Sequence, residues 1–155
     1  MLAKKPQAPR LFREVHVIVG VFREQARSYR GWMVMFIVFS GLPGSGKTTI
    51  AKELARQVGA VYLRIDVIEQ ALREAGVLAG DVGASGYGVA NALALSNLRL
   101  GQRVIADCVN PVKESRDAWQ AVAIAAGVAL INIEVVCSDQ QAHRRRVEGR
   151  VGDIP

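Results

Sequence analysis

Phe36-Ile37-Val38-Phe39-Ser40-Gly41-Leu42-Pro43-Gly44-Ser45-Gly46-Lys47-Thr48-Thr49 is the stretch that decides the fold. Its first part is an unbroken apolar run, as expected of a strand buried on both faces. The next part matches the pattern GxxxxGK[ST], with Gly41, Gly46, Lys47 and Thr48 in the required places. Glycines let a backbone curl so that its N–H groups point inward. A helix starting at Lys47 would aim its N-terminal dipole at the same point. Together these features make a phosphate-binding loop, with nucleotide contacts expected from Gly41, Leu42, Pro43, Gly44, Ser45, Gly46, Lys47, Thr48 and Thr49. Lys47 would reach the β/γ-phosphates of ATP and the Thr48 hydroxyl would ligate Mg²⁺. A chance glycine turn is the plain alternative, and the strand–loop–helix setting argues against it.

Beyond the loop the apolar periodicity alternates. A helix is expected over 47–58, stopped by Gly59, then a strand over 60–65 with Asp66 at its end, and a helix over 67–75 stopped by Gly76. A glycine-rich connection spans 80–88, and a helix spans 87–100. A strand over 103–106 is tipped by Asp107. A helix over 113–126 is stopped by Gly127, and a fourth strand covers 128–137. Ser138 or Asp139 would cap a last helix running through Arg144-Arg145-Arg146 towards Arg150. Strands alternating with helices predict an α/β, three-layer fold with a mostly parallel sheet. Ligands of such sheets bind at the carboxyl edge of the strands, where Gly41, Asp66 and Asp107 converge.

Asp66 at that edge would accept a proton from an attacking hydroxyl; as plainly, it would cap the following helix. Asp107 would organise the metal, with a turn-forming aspartate beside Asn110-Pro111 as the alternative. Arg146 and Arg150, four apart on one helix face, would stabilise charge on a transferred phosphoryl group or simply lie on a solvated face. Trp119 reads as packing, Tyr87 as core or acceptor lining, and His16 and His143 receive no role. Cys108 and Cys137 read as buried thiols of a reducing compartment, which places the protein in the cytoplasm.

The net charge of +6 is concentrated at one end. Residues 1–31 hold Lys4, Lys5, Arg10, Arg13, Arg23, Arg27 and Arg30 against Glu14 and Glu24, so the remainder is nearly neutral. This argues against nucleic acid as the partner of the core. The apolar run 32–42 is far short of the ~20 residues of a membrane-spanning helix, and 15–22 is shorter still.

The phosphate loop, Leu63-Arg64-Ile65-Asp66, Ala106-Asp107-Cys108-Val109-Asn110 and Arg144-Arg145-Arg146-Val147-Glu148-Gly149-Arg150 together resemble P-loop kinases. The nearest group is that of polynucleotide kinase, zeta toxin and chloramphenicol phosphotransferase, whose members are often labelled AAA family ATPases. The resemblance implies a P-loop NTPase fold of the nucleoside-monophosphate-kinase kind. It also implies ATP and Mg²⁺ as cofactors and transfer of the γ-phosphoryl group to a hydroxyl of a small molecule.

It assigns Asp66 as the base or acceptor-orienting group and Asp107 to the metal, Asn110 and Arg116 to the acceptor, and Arg146 and Arg150 to a lid over the phosphates. Glu69 stands where polynucleotide kinases carry an arginine, which disfavours a nucleic-acid 5′-hydroxyl. A nucleotide-binding module without transfer and a nucleic-acid-binding ATPase are the rival readings. The resemblance covers 35–155 and leaves 1–34 as a basic extension, foreign to the domain or disordered. It also implies a fifth strand and a final helix beyond the lid. With the sequence ending at Pro155, the fourth strand is expected to leave a bare edge open to self-association.

Overall fold

A computed structural model describes residues 15–22, 34–76 and 83–149. Its elements are β1 (Val15–Phe22), β2 (Met35–Ser40), α1 (Lys47–Val58), β3 (Val61–Arg64), α2 (Ile65–Glu74), α3 (Ser85–Arg99), β4 (Val104–Asp107), α4 (Lys113–Ala126), β5 (Ala129–Cys137) and α5 (Gln140–Glu148). The five strands form one sheet in the order β1-β5-β2-β4-β3. Strands β3, β4, β2 and β5 run parallel, and β1 joins β5 antiparallel. The α/β architecture read from the periodicity is therefore the architecture found.

Strand alternation sends side chains to two faces. Phe36, Val38, Val104, Ala106 and Leu130 meet α3 and α4 on one face. Ile37, Phe39, Ile105, Ile133 and Val135 meet α1 on the other. Helix α3 approaches closely because Ala90, Ala94 and Leu98, spaced by four, form its buried stripe. Trp119 of α4 is fully buried and meets Phe36 edge-on, at 5.6 Å between ring centroids. Its reading as packing holds. On the α1 face a groove of about 690 Å³ runs beside the helix over Phe39 and Ile133.

Helices α1 and α4 end where their glycines said they would, with Gly59 and Gly127 in the left-handed conformation. Two boundaries move. The strand expected to carry Asp66 at its tip ends at Arg64, and Asp66 lies in the first turn of α2. Residues 85 and 86 are helical, although they were read as part of a glycine-rich connection, of which 80–82 lie outside the described residues.

The larger correction concerns Val15–Phe22. This stretch was read as too short to cross a membrane and as part of a basic extension, foreign to the domain or disordered, yet it pairs along the whole of β5, from Val15 opposite Cys137 to Phe22 opposite Leu130. The bare edge expected beside the fourth strand is thus occupied. The signal was present in Val15, Val17, Ile18, Val19 and Val21, because β-branched residues favour a pleated strand.

Candidate active site

The loop at 41–46 leaves β2 at the carboxyl edge of the sheet and delivers the chain into α1. Gly41, Gly44 and Gly46 have φ of 135°, 78° and 92°, values that side chains other than glycine adopt poorly. At Gly41 there is also no room: a Cβ would lie 2.4 Å from the Val135 carbonyl oxygen of β5. The loop is thus seated directly on the neighbouring strand. Its own bonds are few, with Ser45 N–H donating to the Leu42 carbonyl at 3.2 Å and Gly41 N–H to that of Val109 at 3.4 Å.

The first hydrogen bond from α1 back to the loop is made by the Ile50 N–H, to the Gly46 carbonyl. The N–H groups of the first turn are left for a ligand. That turn carries no acidic residue, so its positive end is not neutralised locally. Lys47 is nearly enclosed and makes no ion pair among the described residues. A buried, uncompensated ammonium behind a ring of glycine amides suits an anion.

Asp107 ends β4 as read, and is 2% exposed. Tyr62 of β3 donates its hydroxyl to Asp107 Oδ2 at 2.6 Å. Burial first, and then the Asp107 carboxylate, push the ionisation of Tyr62 far above its ordinary range, so its hydroxyl stays a donor. Asp107 Oδ1 and Ser45 Oγ are buried and find no hydrogen-bond partner among the described residues. Unpartnered oxygens at the foot of a phosphate loop fit a hard divalent cation, which is held by one or two carboxylates together with substrate phosphates.

Asp66 is one-third exposed and receives the Arg64 guanidinium at 3.3 Å from its Oδ2. Arg64 itself is buried, which makes it a cation fixed at the strand edge beside the candidate base. The alternative reading of Asp66 as a helix cap fails, because Arg64 occupies the cap position of α2.

Asn110 and Arg116 are brought together, but chiefly on each other. Asn110 has φ 54°. Its N–H donates to the Tyr87 hydroxyl at 3.0 Å, and its Oδ1 lies 2.8 Å from Ser115 Oγ. Arg116 donates to the carbonyls of Asn110 and Pro111, both at 3.2 Å. These contacts shape the turn after β4. Tyr87 combines its two readings, packing on Trp119 with its ring and holding the turn with its hydroxyl.

Glu69, in the place of the polynucleotide-kinase arginine, pairs with Arg73 at 3.5 Å and faces Gly86 of α3. Cys108 is buried, and burial pushes its thiol up to about 12. Cys137 is only half-buried, because it lies at the end of β5 where the sheet gives out.

Helix α5 begins at Asp139, whose carboxylate accepts the N–H groups of Gln141 and Ala142 at 2.8 and 3.0 Å. The helix reaches the phosphate loop. His143 donates from Nε2 to the Pro43 carbonyl at 2.7 Å, and Val147 lies against Gly44. His143 received no role from the sequence, and nothing in local spacing could reveal a partner a hundred residues away. Arg146 points Nη1 towards Cys137 Sγ at 3.7 Å. Arg150 lies outside the described residues.

A parallel sheet with a glycine loop running into α1, a buried lysine behind that loop, and an aspartate closing the adjacent strand define a P-loop domain. The chain belongs to the AAA domain family, whose model matches residues 36–153. Among solved structures it resembles a candidate kinase from Chloroflexus aurantiacus, with TM-score 0.66 and 23% identity over 76% of this chain and 67% of that one. It also resembles a gluconokinase from Sinorhizobium meliloti, with TM-score 0.56 and 18% identity over 79% and 69%. The APS kinase of Mycobacterium tuberculosis, in complex with AMPPNP and APS, gives TM-score 0.54 and 22% identity over 76% and 70%. At these identities the likeness establishes the fold. No curated protein matches the chain by sequence.

Proposed function

We propose that this protein transfers the γ-phosphoryl group of ATP to a hydroxyl of a small molecule. The observation that carries the reading is the convergence, at one sheet edge, of an intact phosphate loop, a buried aspartate with an unpartnered oxygen, and an aspartate held by a buried arginine. Gluconokinase and APS kinase, whose folds this chain shares, are named as kinases of small molecules.

Loop amides and Lys47 would hold the β- and γ-phosphates. Mg²⁺, arriving with the nucleotide, would neutralise charge developing between those phosphates. Thr48 and Asp107 would hold it. Asp66 would orient the acceptor hydroxyl and take its proton, with Arg64 keeping the carboxylate aimed. Arg146 and Arg150, on and after α5, would close over the phosphates. Asn110 and Arg116 would serve the acceptor through the turn they build. The reaction would take place in the cytoplasm.

One observation favours a nucleotide-binding module without transfer: the Asn110 amide oxygen and the Arg116 guanidinium are engaged in the turn after β4. Release of ADP from ATP, measured with a panel of hydroxyl compounds and a 5′-hydroxyl oligonucleotide, separates the readings. At least one small hydroxyl compound is expected to stimulate release. Binding of ATP with no stimulation by any compound supports the module, and stimulation by the oligonucleotide alone supports a nucleic-acid acceptor.

A further inference from the structure

We propose that Tyr62 is a positioning residue for the metal-holding carboxylate: its hydroxyl fixes Asp107 so that Oδ1 is presented to the nucleotide-borne Mg²⁺. The inference rests on the reading of Asp107 given above. Strands β3 and β4 run parallel in a register that sets Tyr62 beside Ile105 and Arg64 beside Asp107. Alternation then puts Tyr62 and Asp107 on the α1 face, one step apart along the sheet. The Tyr62 ring spans that step, and its hydroxyl meets Oδ2 at 2.6 Å, the length of a charge-assisted O–H···O⁻ bond.

An aspartate carboxylate turns freely about its last torsion unless something holds it. Among the described residues one side-chain hydrogen bond reaches it, which selects the oxygen used and leaves the other without a partner. The ring of Tyr62 packs with the residues under α1, among them Ile105 and Ile37. Phenylalanine would fill the same space, so packing alone does not call for a hydroxyl at this position.

The test is Tyr62→Phe, read by calorimetric titration of ATP at a series of Mg²⁺ concentrations. Positioning predicts unchanged affinity for metal-free ATP and about a tenfold rise in the Mg²⁺ concentration that half-saturates the gain in affinity, the scale of one hydrogen bond to a charged group. A merely structural hydroxyl would lower the melting temperature and leave the Mg²⁺ requirement where it was, and that result overturns the proposal.

If Tyr62→Phe does not fold, 3-fluorotyrosine at position 62 keeps the donor and supplies a ¹⁹F signal. That signal should move when Mg²⁺ is added to the ATP complex, and a stationary signal overturns the proposal. Wild-type protein that binds ATP equally with and without Mg²⁺ would remove the metal role of Asp107, and this inference with it. A Mg²⁺-dependent wild type with an unaltered Tyr62→Phe removes this inference alone.

Discussion

The two halves of the strand edge are built from different materials. On the side of the glycine loop the candidate groups belong to the backbone: amides of the loop and of the first turn of α1, with glycines at φ of 135°, 78° and 92°. On the other side they are side chains holding side chains, Tyr62 on Asp107, Arg64 on Asp66 and Ser115 on Asn110. A backbone device needs particular residues at fixed local spacing, so it is written openly in the sequence. A side-chain device depends on which strands lie next to each other, and local spacing does not carry that.

The contrast predicts unequal tolerance. Gly41→Ala should be the most damaging single change, because the new Cβ would face the Val135 carbonyl at 2.4 Å and φ is positive. We expect a loss of at least about 2 kcal/mol in chemical denaturation, together with loss of ATP binding. A stable Gly41→Ala protein that still binds ATP would mean that the loop is not pressed against β5.

Asp66→Asn should act on the other half alone. Nucleotide affinity should persist while transfer to an acceptor falls about 10²-fold, the scale of general-base effects. Undiminished transfer would reduce Asp66 to a partner for Arg64. Removing residues 1–34 should leave ATP affinity intact, since the loop contacts come from 41–48, but it takes β1 away from β5. The freed edge should raise self-association in size-exclusion chromatography; an unchanged monomer would show that β1 is dispensable as a cover. The smallest effect separates the two thiols. At pH 8 a thiol reagent should label Cys137 and spare Cys108, which burial keeps protonated. Equal labelling would contradict the tight packing behind Asp107.

Much of the fold was legible for the same reason as the loop. Helix α4 falls at 113–126 as read, because its stop at Gly127 is a local event. A cap at Ser138 or Asp139 was foreseen, and Asp139 is the one found, because capping is settled within three residues. Local misreadings only shifted boundaries by a residue or two, at Asp66 and at 85–86; the larger failures are non-local. Strand β1 finds its partner at the far end of the chain, antiparallel, in a protein whose periodicity announces parallel pairing. His143 meets Pro43 only once α5 lies across the loop. Arg64 and Tyr62 looked like ordinary strand residues until the β3–β4 register put Asp107 beside them. Asn110 and Arg116 entered as acceptor residues by resemblance, and the turn they share explains why both belong near Asp107.

The central claim is that the loop at 41–48 is a working phosphate site with Lys47 as its cation. Calorimetric titration of Mg·ATP into the wild type and into Lys47→Ala, with melting curves to confirm that both fold, tests it most directly. The account predicts clear binding by the wild type and its near loss in Lys47→Ala at similar stability. Equal affinity in the two proteins, or no binding by a well-folded wild type, would contradict it.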